Sequence, residues 1–566
     1  MKRYQVPPPE EARASMVGWF DPGQLLKTGL EVVVSTAFAR NADRRILDAV
    51  IHPNVVPCDY SSHTELWIDY VADTGDGWNS TYAVAHALAQ PTLRLDNITT
   101  ERGQLLVFGG DEVYPTASRA EYERRLIAPY ETALPRTSTP NPKVFAVAGN
   151  HDWYDSLVAF SRIFCSGGKR WFAGWQTHQT VSYFACKLPH DWWLVGTDVQ
   201  LDSDIDEPQL QYFRDVAKLM SPDAQVILCT AEPHWVYEAK YDKFDPRINQ
   251  ENLTFLEQRI FGNRIAVFLS GDLHHYRRHT DGFGRQKITA GGGGAFLYPT
   301  HSDVAEVQVL RDGYTLRESY PSAKQSRTLS NRLLRFHTIN PKFGLATALL
   351  YVVLAWAVKV DLGAYGLGDL GTVARIVVRG VLSSQLAVLW GLLLFFGFFF
   401  FTDTRSPRFK RWGGFTHAIA HLAAVLALGW FASWITVGQL HLVFGGIGQL
   451  MLSGAIIGLG GYLVGPLIMG LYLFIALNVF HRHAGEFSAI RCEDFKSWLR
   501  LRITPTGDLE IYAIGIPRVP RKWKVATPSD DAPSLLVPDD ELTVELVDDV
   551  TVPAGVIANV RRARGG

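Results

Sequence analysis

Between about His63 and Leu310, short apolar runs alternate with amphipathic stretches. The runs "ELWIDYVAD", "QLLVFGGD", "KVFAVAGN", "WWLVGTD", "QVILCTAEPH", "IAVFLSGD" and "RQKITAGGGG" are rich in β-branched and aromatic residues. They are too short for helices, so they predict buried strands, and the amphipathic stretches between them predict helices packed on a sheet. Strands alternating with helices predict an α/β domain. Six of the seven runs end on Asp, Asn or His, and the ends of sheet strands are where α/β proteins place their chemistry.

From about Phe343 to Phe480 the pattern changes to long runs almost free of charge, such as "SQLAVLWGLLLFFGFFFF". A helix of ~20 such residues crosses the hydrocarbon layer, and candidate spans are 343–360, 378–401, 415–437, 441–459 and 461–480. The loop "TDTRSPRFKRWGG" carries Arg405, Arg408, Lys410 and Arg411, which places it in the cytoplasm by the positive-inside rule. Counting back two spans places the α/β domain there too, and Arg332, Arg335 and Lys342 agree. Five spans leave the C-terminus outside, whereas Arg482, Arg491, Lys496, Arg500 and Arg502 favour inside. Region 441–480 then holds one span and a re-entrant segment, with Gly460, Gly461, Gly465 and Pro466 as helix breakers, or a further span exists. His417 and His421 read as an interfacial pair near the basic loop.

The flanks are simpler. Residues Gln24 to Arg44 predict one helix, packed on the α/β domain or lying at the bilayer surface. After the spans, "WLRLRITPTGDLEIYAIGI" alternates around a Thr-Gly-Asp turn and predicts a β-hairpin. The acidic, Pro-containing end predicts a mobile tail. The domain reading is therefore an N-terminal segment at 1–62, a catalytic α/β domain at 63–330, membrane helices at 331–480, a β-hairpin region at 481–525 and a flexible tail at 526–566.

The 566 residues carry a net charge of −1, which argues against a nucleic-acid partner. Cys58, Cys165, Cys186, Cys229 and Cys492 lie far apart with no CxxC pair, so their spacing gives no zinc or redox signature and fits a reducing compartment. The N-terminus lacks the apolar core of a secretory signal.

The strand ends present Asp73, Gly75 and Asp76; Asp111 and Tyr114; Asn150, His151 and Asp152; His234; and Asp272, His274 and His275. Carboxylates mixed with imidazoles suit Mn, Fe or Zn, and two close ions need a shared carboxylate. The order Asp…Gly-Asp-x-x-Tyr…Gly-Asn-His-Asp…His…Gly-x-x-His resembles the calcineurin-like metallophosphoesterase superfamily over roughly residues 63–300. Its first two motifs resemble the purple-acid-phosphatase branch.

The resemblance implies a four-layer α/β/β/α sandwich, followed here by an α-helical transmembrane bundle and a small C-terminal β element. It implies two divalent or trivalent metal ions (Mn, Fe, Zn or Mg). Asp73 would bind the first, Asp111 would bridge both, Tyr114 and His274 would complete the first site, and Asn150 and His234 would bind the second. His151 would act as general acid, or as a charge stabiliser for the leaving oxygen, with Asp152 orienting it, while a metal-bridging hydroxide attacks a phosphate ester. One departure stands out: Gly-Asp-Leu-His replaces the family's Gly-His-x-His. Asp272 thus puts a hard oxygen on the second ion, which favours Mn, Fe(II) or Mg and, by making the site less positive, slightly favours diesters.

Other readings stay open at this point. Asp76 is either an orienter of the site or a turn residue, and Tyr114 is either a ligand or packing. His275, Arg277 and His279 read as surface or substrate-side residues. "AGGGGAF" lacks the ending of a phosphate loop and reads as tight sheet packing near the site. The bundle anchors the hydrolase at the inner leaflet, so a lipid-linked phosphate ester is the substrate that proximity suggests, with the bilayer itself as partner. The competing functions are an inactive sensor with this fold, or a transporter with a regulatory phosphoesterase-like domain.

Overall fold

The computed structural model describes residues 6–29, 45, 51–52, 55–135, 141–199, 205–240, 250–301, 305–402, 406–481, 486–529 and 531–563. Of the helix expected over Gln24–Arg44, residues 22–29 are helical and the remainder lies outside the described residues. The chain divides into two units. One comprises Met1–Val17, Lys27–Ala323 and Arg491–Gly566, and the other Gly18–Leu26 and Lys324–Ile490.

The first unit is built on two eight-stranded sheets. One runs Cys58–Asp59, Phe184–Lys187, Trp192–Gly196, Gln225–Cys229, Ile265–Ser270, Gln286–Ala290, Tyr276–Thr280, Thr315–Tyr320. The other runs Glu545–Val552, Leu509–Ile516, Lys496–Ile503, Leu66–Val71, Leu105–Phe108, Lys143–Ala146, Trp175–Thr177, Trp171–Phe172. Side chains alternate across a strand, and the buried clusters follow that alternation. Leu66, Ile68 and Tyr70 enter the layer between the sheets, whereas Trp67 and Val71 face outward under the helices Trp78–Ala89, Ala128–Ala133 and Val158–Phe164. On the other sheet Trp192 and Leu194 face inward, and Trp193 and Val195 pack under Glu207–Leu219 and His234–Lys240. Strands apolar on both faces thus give helices, sheet, sheet, helices.

Leu66–Val71, Leu105–Phe108 and Lys143–Ala146 are parallel, so their last residues emerge along one edge. In the other sheet Gln225–Cys229 and Ile265–Ser270 are parallel as well. Backbone bonds join the two edges: Gly293 N donates to Ala72 O at 2.9 Å and Ala295 N to Asp73 O at 2.8 Å.

The C-terminal expectations need correction. The hairpin forms, but it is no separate element: Lys496–Ile503 pairs with Leu66–Val71 in the second sheet. Opposite Asp69 stands Arg500, whose buried guanidinium donates at 2.7 and 3.2 Å to the Asp69 carboxylate and at 3.2 Å to Thr100. Nor is the acidic end a structureless tail, since Glu545–Val552 adds a strand and Val556–Ala563 a helix. Its acidity has partners: Asp548 accepts from Arg278 at 2.7 and 3.0 Å and from Tyr276 at 2.9 Å.

In the second unit, Pro341–Val358, Arg408–Gln439 and Ile447–Phe480 are long and apolar enough to cross a membrane. Leu370–Ser383 and Gln385–Phe400, bent by 102°, make a fourth such segment if counted together. The expected spans 441–459 and 461–480 are one helix. Gly461 and Gly465 do not break it because they serve close packing: a Cβ on either would press on Thr347 or Ala348 of the Pro341–Val358 helix, and Thr347 Oγ1 donates to Gly461 O at 2.8 Å. Small residues four apart are the usual device for such helix contacts in lipid. Arg408, Lys410 and Arg411 open a helix, Pro407–Ser433, rather than fill a loop, and Arg405 lies outside the described residues. His417 and His421 are buried. Their Nε2 atoms are 3.2 Å apart, and Tyr351 Oη lies 2.6 Å from His421 Nδ1.

Removing one partner of a buried ion pair leaves the other charge unpaired, at about 3–5 kcal/mol. Arg500→Met is therefore expected to lower unfolding stability by about that much. An Asp69→Leu/Arg500→Met double variant is expected to recover part of the loss, both read by denaturant titration in detergent.

Candidate functional site

Three of the strands expected to carry chemistry end in an aspartate whose backbone is left-handed: Asp73 (φ 56°), Asp111 (φ 52°) and Asp272 (φ 67°). Asp enters this region more readily than most residues, yet each instance costs of order 1–3 kcal/mol and survives only where the surroundings impose it. All three sit where a strand turns sharply out of its sheet. Their carboxyl groups then converge.

The hydroxyl of Tyr114 is the meeting point. It donates to Asp73 Oδ1 at 2.9 Å or to Asp111 Oδ2 at 3.1 Å, and it lies 2.9 Å from His274 Nε2. His274 Nε2 and Asp73 Oδ1 are 3.6 Å apart. The imidazole presents Nε2 because Nδ1 is held 2.6 Å from the carbonyl of Phe296. Asp272 N donates to Asp73 Oδ2 at 2.8 Å, and the Asp272 carboxylate accepts from Tyr237. His151 N donates to Asp111 Oδ1 at 2.9 Å. Asn150 faces the same carboxylate: with its nitrogen inward it donates to Asp111 at 3.1 and 3.2 Å and accepts from Tyr154 at 3.1 Å. A cation between the two side chains would instead call for the amide oxygen inward.

Close backbone approach makes the cluster possible. A Cβ on Gly149 would fall on Asp111 Oδ1, and one on Gly291 on Asp73 Oδ2. The four-glycine run is thus tight packing against the site, as its sequence suggests.

Burial pushes the Asp73 carboxyl well above its usual range, and Asp111 and Asp272 add to this, against the Tyr114 hydroxyl and the Asp272 amide. Asp111 is raised to about 8, by burial first and then by Asp152. Burial drives His274 well below the usual imidazole value. Clustered acids whose charges resist one another, facing a neutral imidazole, form a site that a cation would stabilise.

His234 heads the helix His234–Lys240, with Nδ1 3.6 Å from Glu232. Asp152 does not orient the His151 ring through any described hydrogen bond. It takes Gly149 N at 2.9 Å and Glu112 N at 3.3 Å, fixing the turn that carries Asn150 and His151. The ring is oriented by the Pro115 carbonyl, 2.6 Å from Nδ1, and lies against Tyr114 with centroids 4.4 Å apart. His275, Arg277 and His279 are buried rather than superficial: Arg277 donates to Thr300 O at 3.4 Å, and His279 Nε2 lies 2.8 Å from Val307 O. Their alternating positions along an apolar sheet hide this from sequence.

Asp76 resolves as an orienter. It accepts from Val17 N at 2.7 Å and Phe296 N at 3.1 Å, so it holds the very residue whose carbonyl fixes His274. Burial raises it to about 6. Two further residues escaped the sequence. Glu112 is a buried acid raised by burial and by Asp152. Lys496 arrives from beyond the long apolar helices to donate to Ala295 O beside the glycine run. Its apolar, alternating neighbourhood reads only as a strand.

Among the described residues, no three His, Cys, Asp or Glu side chains are grouped to hold a metal ion by those residue types alone. The convergence here includes a phenol. Asp73, Asp111, Tyr114 and His274 are the residues that could hold a cation together.

Residues 66–276 match the family model of the calcineurin-like phosphoesterases. This part of the chain is a metallophosphoesterase-like domain. Similar solved structures include a purple acid phosphatase from yellow lupin seeds (12% identity, 43% of this chain and 46% of that one, TM-score 0.27). A dimetal phosphatase from Danio rerio is similar at 16% identity, over 40% of this chain and 88% of its own, with TM-score 0.27. So is GAP50, described as the anchor in the inner membrane complex of Plasmodium, at 12% identity, over 40% and 72%, with TM-score 0.27. No curated protein matches the chain.

Overpacking a tight site costs about 1–3 kcal/mol. Gly291→Ala is expected to lower the Tm measurably, whereas Gly282→Ala, where a Cβ meets nothing within 4 Å, is expected to leave it unchanged, both by thermal unfolding.

Proposed function

We propose that this chain is a membrane-anchored phosphoesterase that hydrolyses a phosphate ester with two metal ions. The observation that carries the reading is the set of donor–donor distances around Tyr114. Tyr114 Oη lies 2.9, 3.1 and 2.9 Å from Asp73, Asp111 and His274. The donor set fits a hard or borderline cation.

Asp73, Tyr114 and His274 would hold the first ion, Asn150, His234 and Asp272 would hold the second, and Asp111 would serve both. When bound, the ions supply Lewis-acid chemistry, which lowers the pKa of water and neutralises phosphoryl charge. The chain's own residues do the rest. The Asp152-capped turn presents Asn150 and His151 together. The Pro115 carbonyl accepts from Nδ1 of His151, so in the protonated ring it is Nε2 that carries the proton handed to the leaving alcohol. Asp76, through Phe296, keeps His274 in one tautomer. Three carboxylates against two divalent ions leave a weakly positive site, which favours a diester. Anchoring at the inner leaflet makes a lipid-linked ester the proposed substrate class.

Topology supports anchoring on one side. Arg491–Gly566 shares a unit with Lys27–Ala323, so the intervening helices return to the side they left, and the number of crossings is even. Four crossings follow when Leu370–Phe400 is one of them, with the C-terminus and the catalytic domain both cytoplasmic.

Purified protein stripped of metal is expected to regain phosphoesterase activity with Mn, Fe, Zn or Mg, with diesters ahead of matched monoesters. Asp111→Asn is expected to abolish it, and His151→Ala to lower kcat by about 10²–10⁴-fold. No metal-dependent turnover in the wild type defeats the reading. In sealed inverted vesicles, tags at residue 566 and within the catalytic domain are expected to be equally accessible to protease.

A further inference from the structure

Cys58 and Cys186 are remote in sequence but are register partners, directly opposite each other where Cys58–Asp59 pairs in parallel with Phe184–Lys187. Neighbouring strands lie about 4.8 Å apart, inside the ~4.4–6.8 Å Cα separation that a disulfide spans. Residues opposite in register project to the same face, and both cysteines do: Cys186 is buried in the layer between the sheets, and half-buried Cys58 packs against that layer. Both are free thiols.

Their chemistry is divided. The Cys58 thiol is pulled down to about 5, first by hydrogen bonding from Cys186, against burial, and then by His178. Burial and the neighbouring Cys58 push Cys186 well above its usual value. A partly exposed thiolate beside a buried thiol is the arrangement of an attacking and a resolving cysteine. The pair lies at the sheet edge, where Cys58–Asp59 is bonded to one neighbour only. The proposed phosphoesterase chemistry uses none of these residues.

We propose that Cys58 and Cys186 form an oxidisable dithiol that hydrogen peroxide converts to a disulfide, fastening the edge strand Cys58–Asp59 to Phe184–Lys187. The Cys58 thiolate attacks one peroxide oxygen and the O–O bond breaks. Cys58 becomes a sulfenic acid, and the departing hydroxide takes a proton to become water. The Cys186 sulfur then attacks the Cys58 sulfur. The S–O bond breaks, hydroxide takes the Cys186 proton and a second water leaves. Two thiols have lost two electrons and two protons, and one peroxide has become two waters. A thiol reductant reverses the change.

The test uses the intact chain in detergent. After equimolar hydrogen peroxide and alkylation of remaining thiols, peptide mass mapping is expected to find Cys58 linked to Cys186, with Cys165, Cys229 and Cys492 alkylated. Cys58 left free, or carried on to sulfinic acid with Cys186 free, overturns the proposal. Iodoacetamide at pH 6.5 is expected to alkylate Cys58 at least tenfold faster than Cys165, which is also half-buried, and His178→Gln is expected to slow it. Equal rates for Cys58 and Cys165 overturn the assignment of Cys58 as the attacking thiol.

Discussion

Mutual repulsion among buried carboxylates is the constraint on which the candidate site turns. Two like charges 4 Å apart repel by about 4 kcal/mol at an effective dielectric of 20. A native domain holds only about 5–15 kcal/mol in total. Asp73, Asp111 and Asp272 are nonetheless brought together at strand ends, each in a left-handed backbone conformation, and Asp73 is raised by both of the others. Such a cluster keeps protons or keeps a cation. The phenol, imidazole and amide around it are donors suited to the second choice.

The fold is organised to impose that cluster. Parallel strands deliver the first three motifs to one edge, and glycines at 149 and 291 let backbone approach the carboxylates where a side chain would collide with them. The strand that ends in Asp73 is held from its other side by Lys496–Ile503, through the buried Arg500–Asp69 pair. This unit is therefore completed by chain that follows the apolar helices in sequence, and Lys496 reaches the loop beneath His274.

Much of this was legible in the sequence, for identifiable reasons. Strands apolar on both faces, each ending in a ligand-type residue, fix an α/β domain and the edge where chemistry gathers. Asp73, Asp111, Tyr114, Asn150, Asp272 and His274 lie together or touch common partners. What stayed hidden depends on long-range pairing. The strands 496–503 and 509–516 read correctly as a hairpin, but nothing local says that they join Leu66–Val71. The acidic end reads as mobile until Arg278 meets Asp548. Gly461 and Gly465 read as helix breakers because sequence does not reveal the Thr347 helix packed against them. Nor does sequence reveal that the Asp152 carboxylate caps the turn by accepting from Gly149 N.

The central claim is that the convergence on Tyr114 is a metal centre, and counting bound ions tests it most directly. Equilibrium dialysis of the stripped full-length protein against Mn, followed by elemental mass spectrometry, should give two ions per chain. Asp111→Asn should give fewer than one. A stoichiometry near zero in the wild type, or one unchanged by the substitution, would contradict the account.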